Sequence, residues 1–208
     1  MLNPSTNLLA LPVGADWAKL ANIQEFEISR TSEITCSGAS SILADRDADT
    51  NDIDAALREV RSLEHMDSTT VHTVVTLKNL CIPGFFHAGS GFDTHFTHFK
   101  KLDLSGNLIS GNLNLGEVND WNQLEELSLA RNILGGELPA ILDELPRLKK
   151  LDLSGNSFTG PILNDWPAGC TLQELDLTDN YLNGTWPPNL ELCGGLNSLK
   201  LSNNALEG

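Results

Sequence analysis

LDLSGNLISG (residues 102–111) is the first of five closely related stretches, and the others are LSLARNILGG (127–136), LDLSGNSFTG (151–160), LDLTDNYLNG (175–184) and LKLSNNALEG (199–208). Their asparagines follow one another at intervals of 25, 24, 24 and 24 residues: Asn107, Asn132, Asn156, Asn180 and Asn204. A fixed period of this length predicts one supersecondary unit that is stacked on copies of itself, with a core continuous from unit to unit.

Leucine alternates with polar residues at the start of each stretch, as in a strand that is buried on one side. In the first stretch Leu102 and Leu104 are predicted to point into the core. Lys101, Asp103 and Ser105 are predicted to point away from it. Each repeat should therefore add one strand to a parallel ladder.

The asparagine and a following glycine indicate how the chain turns. A buried asparagine amide can bond the backbone of the neighbouring coil, so the asparagine column predicts a polar ladder inside the stack. A glycine such as Gly111 lies four residues after each asparagine. Because it recurs at one point of every repeat, it predicts a close approach of two chains or a positive φ.

The pattern L-x-x-L-x-L-x-x-N-x-L, followed by Leu138-Pro139 or Trp186-Pro187, resembles the plant-specific class of leucine-rich repeat. That class occurs in receptor kinase ectodomains, receptor-like proteins and polygalacturonase inhibitors, and similar repeats occur in protist surface antigens. The resemblance covers residues 99–208, with a weaker match at 74–84. It implies an α/β repeat solenoid, a leucine-rich repeat horseshoe with a parallel strand ladder on the concave face and short helical or irregular segments on the convex face.

The first 70 residues follow the pattern less closely. Residues 11–35 place Ile23, Phe26 and Ile28 at repeat spacing, which indicates either a degenerate repeat or an ordinary strand. Residues 36–70 interrupt the period with an acidic loop and a predicted helix that starts near Asn51. We therefore divide the chain into a degenerate N-terminal repeat-like segment with an inserted acidic loop and helix (1–70) and a solenoid that is truncated in its last repeat (71–208).

The charge excludes some classes of partner. The net charge is −15, and the acidic surplus extends over the whole chain. Without a basic patch, neither nucleic acid nor an anionic membrane surface is an expected partner. The sequence has no run of 18 apolar residues, so we expect no direct membrane binding by this segment.

Two groups of residues were weighed as metal sites. His95 and His98 are three residues apart on a predicted helix, with His87 or Asp93 as a third ligand, but no H-E-x-x-H motif is present. The acidic loop that starts at Asp45 lacks the glycine and glutamate of a calcium-binding loop. We predict no metal, no cofactor and no enzymatic activity.

Cysteine and tryptophan were assigned to the core. The four cysteines could form two bridges, but their spacing does not require it, and we interpret Cys170 and Cys193 as reduced, small apolar residues on the convex side. Trp121 and Trp186 occupy apolar positions of the repeat and are predicted to be buried. Asn183-Gly184-Thr185 is the only N-glycosylation sequon, and one sequon in an asparagine-rich chain does not indicate secretion.

The resemblance implies a non-enzymatic module that recognises a protein or peptide ligand, as part of a receptor-like or cell-surface protein. The alternatives are an inhibitor of a secreted hydrolase, similar to polygalacturonase inhibitors, and an intracellular scaffold. We expect an extracellular or surface location if the chain is a fragment of a longer protein, and a cytoplasmic one if it is complete; the oligomeric state is left open. The ligand-binding candidates are the outward residues of the strand ladder: Lys101, Asp103, Glu126, Ser128, Arg131, Lys150, Asp152, Glu174, Asp176, Asp179 and Lys200.

Overall fold

The computed structural model describes residues 25–29, 74–80, 82–87, 99–116 and 121–207, with backbone alone for 25–29 and His87. The predicted acidic loop, the helix near Asn51 and the histidine pair at 95 and 98 lie outside these residues.

The leading strands of the repeats form one parallel sheet of seven strands in the described part of the chain. Equivalent leucines lie side by side in it, because Leu102 pairs with Leu127 and Leu127 with Leu151. The ladder predicted from the alternating leucines is confirmed. Its strands are β1 (Glu25–Ser29), β2 (Val74–Lys78), β4 (Lys101–Asp103), β6 (Glu126–Ser128), β8 (Lys150–Asp152), β10 (Glu174–Asp176) and β12 (Ser198–Lys200).

Strand β1 joins this sheet although it precedes the irregular region. It runs parallel to β2, with Phe26 opposite Val75 and Ile28 opposite Leu77. These are the positions that repeat spacing gives to the paired inward residues. The strand thus follows the repeat pattern, while the division of the chain at residue 70 stays a prediction.

A second parallel sheet, which the sequence pattern did not predict, is built from the segments that follow the asparagine turns. Helix α1 (Ile141–Glu144) and a 3-10 helix (Pro188–Leu192) follow two of its strands, as expected for the convex side. The solenoid prediction is therefore confirmed, with one more sheet than expected. The strands of this second sheet are β3 (Pro83–His87), β5 (Leu108–Asn114), β7 (Ile133–Glu137), β9 (Ser157–Gly160), β11 (Tyr181–Thr185) and β13 (Ala205–Glu207).

The core lies between the two sheets and consists mostly of leucine. Leu102 and Leu104 are fully buried, as is Ile109 after the turn. Ser105 was predicted to face outward, and this was wrong. It is buried because its hydroxyl donates a hydrogen bond to a carboxylate oxygen of Asp103 at 2.6 Å, which satisfies the hydroxyl away from water.

The asparagine ladder is present as predicted. The side-chain amide of Asn156 donates to the carbonyl of Leu153 in its own coil and to that of Leu129 in the coil before, both at 3.0 Å. Its oxygen accepts a hydrogen bond from the backbone N–H of Leu134 at 3.1 Å. Asn107, Asn132, Asn180 and Asn204 repeat this arrangement, so each joins two coils by supplying hydrogen-bond partners to backbone groups that are buried or partly buried.

The recurring glycine has the predicted backbone conformation. Gly111 has φ +81°, and a Cβ atom there would lie 2.8 Å from the ring of Phe85 in the preceding coil. Gly136 and Gly160 have similar φ values and similarly close neighbours. Glycine is required at this position for two reasons. The backbone is left-handed, and a side chain of the preceding coil lies where a Cβ atom would be.

The tryptophans divide between the core and the surface. Trp121 and Trp166 are buried, and both indole N–H groups donate to backbone carbonyls. Trp186 was predicted to be buried, and this was wrong: 45% of it is exposed. In other coils Leu138 and Ile162 fill the corresponding position, and the larger indole stays outside while Pro187 is buried.

Candidate functional site

The outer face of the first sheet carries most of the residues proposed from the sequence. Strand pairing places four alternating charges side by side in one row: Lys101, Glu126, Lys150 and Glu174. A second row, two residues further along the strands, consists of Asp103, Ser128, Asp152, Asp176 and Lys200. The repeat period therefore converts positions 24 or 25 residues apart in sequence into direct neighbours.

These two rows line a shallow groove of about 240 Å³, which we call the concave groove. Nine of the eleven proposed residues lie in it. Sequence reasoning missed Lys78 and Ser198, although counting one repeat back from Ser105 and one forward from Glu174 would have found them. Among the described residues that line this groove, none is aromatic. Its lining consists of Lys78, Lys101, Leu102, Asp103, Glu126, Leu127, Ser128, Lys150, Leu151, Asp152, Glu174, Leu175, Asp176, Ser198 and Lys200.

The charges of the first row neutralise one another across neighbouring strands. The ammonium group of Lys101 lies 3.3 Å from the carboxylate of Glu126, and that of Lys150 lies 3.0 Å from the carboxylate of Glu174. The hydrogen bond and the charge of Glu174 raise the pKa of Lys150. All four side chains are about 40% exposed or more, so solvent screens these pairs, they contribute little to stability, and a ligand can displace them at small cost.

The aspartates of the second row also hold the backbone. One carboxylate oxygen of Asp152 accepts hydrogen bonds from the backbone N–H and the hydroxyl of Ser154, at 3.1 and 2.7 Å. Asp176 accepts from the backbone N–H of Thr178 at 3.1 Å and from Lys200 at 3.0 Å. Burial opposes ionisation of Asp176, but these hydrogen bonds outweigh it and lower its pKa. The aspartates of the repeat pattern thus close a local turn in addition to lining the groove.

Asp152 differs from the other acidic residues of its row. Asp103 lies 3.9 Å from the ammonium of Lys78, and Asp176 lies 3.0 Å from that of Lys200. Across the described residues, Asp152 forms no ion pair, because Ser128 and Asp176 occupy the neighbouring strands in its row. A ligand that binds its second oxygen therefore has no ion pair within the described residues to displace.

Arg131 and Asp179 lie outside the groove, although both were proposed as ligand-binding residues. They precede the ladder asparagines and have φ values of +53° and +57°. Gly106 and Gly155 occupy the same point of other coils, also with positive φ. Both residues therefore belong to the left-handed turn that follows strands β6 and β10, and neither side chain lines the groove.

The structure corrects the interpretation of two cysteines. Cys170 and Cys193 form a disulfide, with Cα atoms 4.7 Å apart. They are 23 residues apart in sequence, which is one residue less than the repeat period, so stacking brings them together in adjacent coils. The period contained this signal, but we interpreted both as reduced because each occupies an apolar position.

Two further observations concern metals and membranes. Among the residues that the structure describes, no three histidine, cysteine, aspartate or glutamate side chains cluster as a metal site requires. This does not test the prediction that neither the acidic loop nor the histidine pair binds a metal, because the side chains of residues 45–56, His87, His95 and His98 are outside that set. No helix in the described part of the chain has the length and apolarity to cross a membrane.

Comparison with known sequences identifies the repeat. The family model described as Leucine Rich Repeat matches residues 147–168 and 171–193. Receptor-like protein CLAVATA2 of Arabidopsis thaliana is 39% identical over 74 residues, which is 36% of this chain and 10% of that protein. The chain therefore corresponds to only a small part of this relative.

Solved structures show the same architecture. The plant peptide hormone receptor RGFR1, solved in complex with RGF2, matches 64% of this chain and 21% of its own, with 29% identity and a TM-score of 0.58. Pollen Receptor Kinase 3 matches 73% of this chain and 68% of its own, with 28% identity and a TM-score of 0.56. The predicted resemblance to leucine-rich repeats of plant receptor-like proteins and receptor kinases is confirmed.

Proposed function

We propose that this chain, a leucine-rich repeat solenoid similar to the ectodomains of plant receptor-like proteins and receptor kinases, recognises a peptide or protein ligand through the concave groove. It acts as a non-catalytic binding module. The observation that carries the proposal is the groove itself, in which two rows of charged and polar side chains lie side by side across consecutive coils.

The geometry of the groove suits an extended polar ligand. Neighbouring parallel strands are about 4.8 Å apart, so a segment lying across the sheet meets a new pair of side chains at every coil. The alternating row of Lys101, Glu126, Lys150 and Glu174 offers donors and acceptors in turn, and Asp152 offers an unpaired carboxylate oxygen. A ligand with a basic group opposite Asp152 would gain the strongest single contact, because that carboxylate has no internal ion pair to lose.

The absence of aromatic side chains from the groove also predicts how tightly it binds. Tyrosine and tryptophan dominate the energetic centres of most strong interfaces. A groove lined by charged residues and the edges of leucines should instead bind with modest affinity and marked salt dependence. Such binding suits recognition of a peptide along several coils, each adding a small contribution.

The test uses a charge exchange that keeps the protein's net charge and its ion pair. Lys150→Glu combined with Glu174→Lys reverses one pair inside the groove. The matched control combines Glu125→Lys with Lys149→Glu. The ammonium of Lys149 lies 2.6 Å from the carboxylate of Glu125, and this pair is also partly exposed but does not line the groove. Secreted peptides and proteins of the source organism are captured on the wild-type chain, identified, and titrated against all three proteins.

We expect the groove exchange to raise the dissociation constant of the captured ligand at least tenfold, which corresponds to about 1.4 kcal/mol. The control exchange should change it less than twofold. If the two exchanges have equal effects, or if only the control weakens binding, the concave groove is not the binding surface.

A further inference from the structure

The only N-glycosylation sequon of the chain lies on the outer face of the second sheet. Tyr181 and Asn183 lie on either side of the buried Leu182 in strand β11, so they share one face, and both are exposed, as is Thr185. Asn183 differs from the ladder asparagines, which are bound to backbone groups and, except for the partly buried Asn204, are buried. Within the described residues, the side-chain amide of Asn183 forms no hydrogen bond.

The surroundings of Asn183 leave room for a large substituent. On one side it pairs with Ala205, whose side chain is a single methyl group. In the preceding coil the register pairs Leu182 with Gly160, and Pro161 follows Gly160 in sequence. The residue that pairs with Asn183 is thus small, and the Asn183 side chain is itself exposed, which leaves its amide accessible to a large substituent.

Tyr181 supplies a surface on which a sugar can pack. It is 65% exposed, the highest value among the large apolar side chains whose exposure the structure describes. It lies two residues before Asn183 on the same strand, which is about 7 Å along the strand. The C–H face of a sugar ring packs against an aromatic ring, and a first sugar on Asn183 is within reach of the phenol ring.

The disulfide provides an independent reason to expect modification. Cys170–Cys193 brackets the sequon in sequence, and disulfides form and persist in the secretory pathway and outside the cell. Asparagine-linked glycans are added in that same pathway. The structure thus joins three separate features, namely an accessible acceptor, an exposed aromatic ring beside it and a bond that indicates an oxidising compartment.

We propose that Asn183 carries an N-linked glycan and that the Tyr181 ring packs against its first sugar. In the transfer, the Asn183 side-chain nitrogen forms a bond to the anomeric carbon of an oligosaccharide donor linked to a lipid through pyrophosphate. The bond from that carbon to the pyrophosphate breaks, the lipid pyrophosphate leaves, and the amide loses one proton. No residue of the second sheet lines the concave groove, so the glycan covers the outer side of the solenoid and leaves the groove open.

The first experiment is intact-mass measurement of the chain directed into the secretory pathway of a eukaryotic cell by an added leader. We expect a glycan mass that peptide-N-glycosidase removes, and the Asn183 peptide of the protein from its source should carry the same modification. Asn183→Gln and Thr185→Ala should abolish the added mass, and Thr185→Ser should retain it. Asn112→Gln, an exposed asparagine on the same sheet outside any sequon, is the matched control and should retain it. Unmodified wild-type protein from either source would overturn the proposal.

A second measurement tests the role of Tyr181. The melting temperature of each glycosylated protein is compared with that of the same protein carrying Asn183→Gln. The glycan should raise the melting temperature by about 2–4 °C in wild type and in Tyr181→Phe, which keeps the ring, and by less than half as much in Tyr181→Ala. An equal increase in all three would show that the ring does not contact the sugar.

Discussion

At the residue scale, the fold depends on a few polar side chains that are buried with every partner satisfied. Asn156 is the clearest case, because its one amide serves backbone groups of two coils. Removing it takes the acceptor from the buried N–H of Leu134, and it takes one of two side-chain hydrogen bonds from each of the carbonyls of Leu129 and Leu153. Leaving a buried donor unpaired costs more than the hydrogen bond itself contributes. The exposed ion pairs of the concave groove contribute far less.

We predict that Asn156→Ala lowers the free energy of unfolding by about 1–3 kcal/mol. Glu174→Ala, which removes one partner of the exposed pair with Lys150, should change it by less than about 0.5 kcal/mol. Chemical denaturation of both variants measures these effects. Equal losses would contradict the assignment of inward and outward side chains.

Asp143 is a buried carboxylate on helix α1, and it makes stability depend on pH. Burial raises its pKa from the ordinary value of 3.8, even though the backbone N–H of Asp165 in the next coil donates to it at 3.2 Å. The folded protein therefore binds this proton more tightly than the unfolded chain does. The resulting stability is fully present below about pH 3.8 and is lost as the pH rises through the folded-state pKa.

Asp143→Asn keeps an oxygen acceptor for Asp165 but does not titrate in this range. We predict that the free energy of unfolding of this variant rises relative to wild type as the pH increases from 3.5 to 7. Urea denaturation across this pH range tests the sign, and a constant difference for Asp143→Asn would contradict it.

At the element scale, the second sheet requires glycine where one coil lies across the next. We predict that Gly111→Ala destabilises the protein by about 2–3 kcal/mol, because alanine is strained at this left-handed φ and its methyl group must displace the Phe85 ring. Gly169→Ala, which has φ +79° but nothing within 4 Å of the new methyl group, should cost about 1 kcal/mol. Thermal denaturation compares the two. Equal costs would mean that the contact with Phe85 adds nothing to the backbone requirement.

The two sheets differ in how far the sequence could predict them. The first sheet and the asparagine ladder follow from alternating leucines and a fixed period, because every contact repeats with that period. Strands of the second sheet such as Leu108–Asn114 contain glycine and polar residues without clear alternation, so only the stacking of coils reveals them. Nine candidate ligand-binding residues lie in the groove for the same reason that the first sheet was predictable. Arg131 and Asp179 lie at the left-handed turn after their strands and do not line it, and their role in binding stays a prediction.

At the scale of the whole molecule, the disulfide between Cys170 and Cys193 fixes two coils to each other. We predict that replacing both cysteines by alanine lowers the free energy of unfolding by about 2–4 kcal/mol, because the link restricts the unfolded chain. Peptide mapping without reduction should recover the two cysteines in one linked peptide. Alkylation of both in unreduced, denatured protein would contradict the pairing.

The proposed recognition function depends on the same repeat period as the fold. The period that stacks the leucines of the core also places the residues of the concave groove side by side. An inhibitor of a secreted hydrolase and an intracellular scaffold stay predictions that would use the same surface with different partners. The identity of the captured ligand separates them: a peptide favours the receptor-like function, and a hydrolase favours the inhibitor.

The most direct test of the central claim is photo-cross-linking from two matched serines. Ser128 lines the concave groove, and Ser157 lies exposed on the second sheet. A photoreactive amino acid is placed at each position in turn, and the ligand captured by the wild-type chain is added before irradiation. The account predicts a covalent adduct from position 128 and none from position 157. An adduct from position 157 alone would contradict it and assign recognition to the outer side of the solenoid.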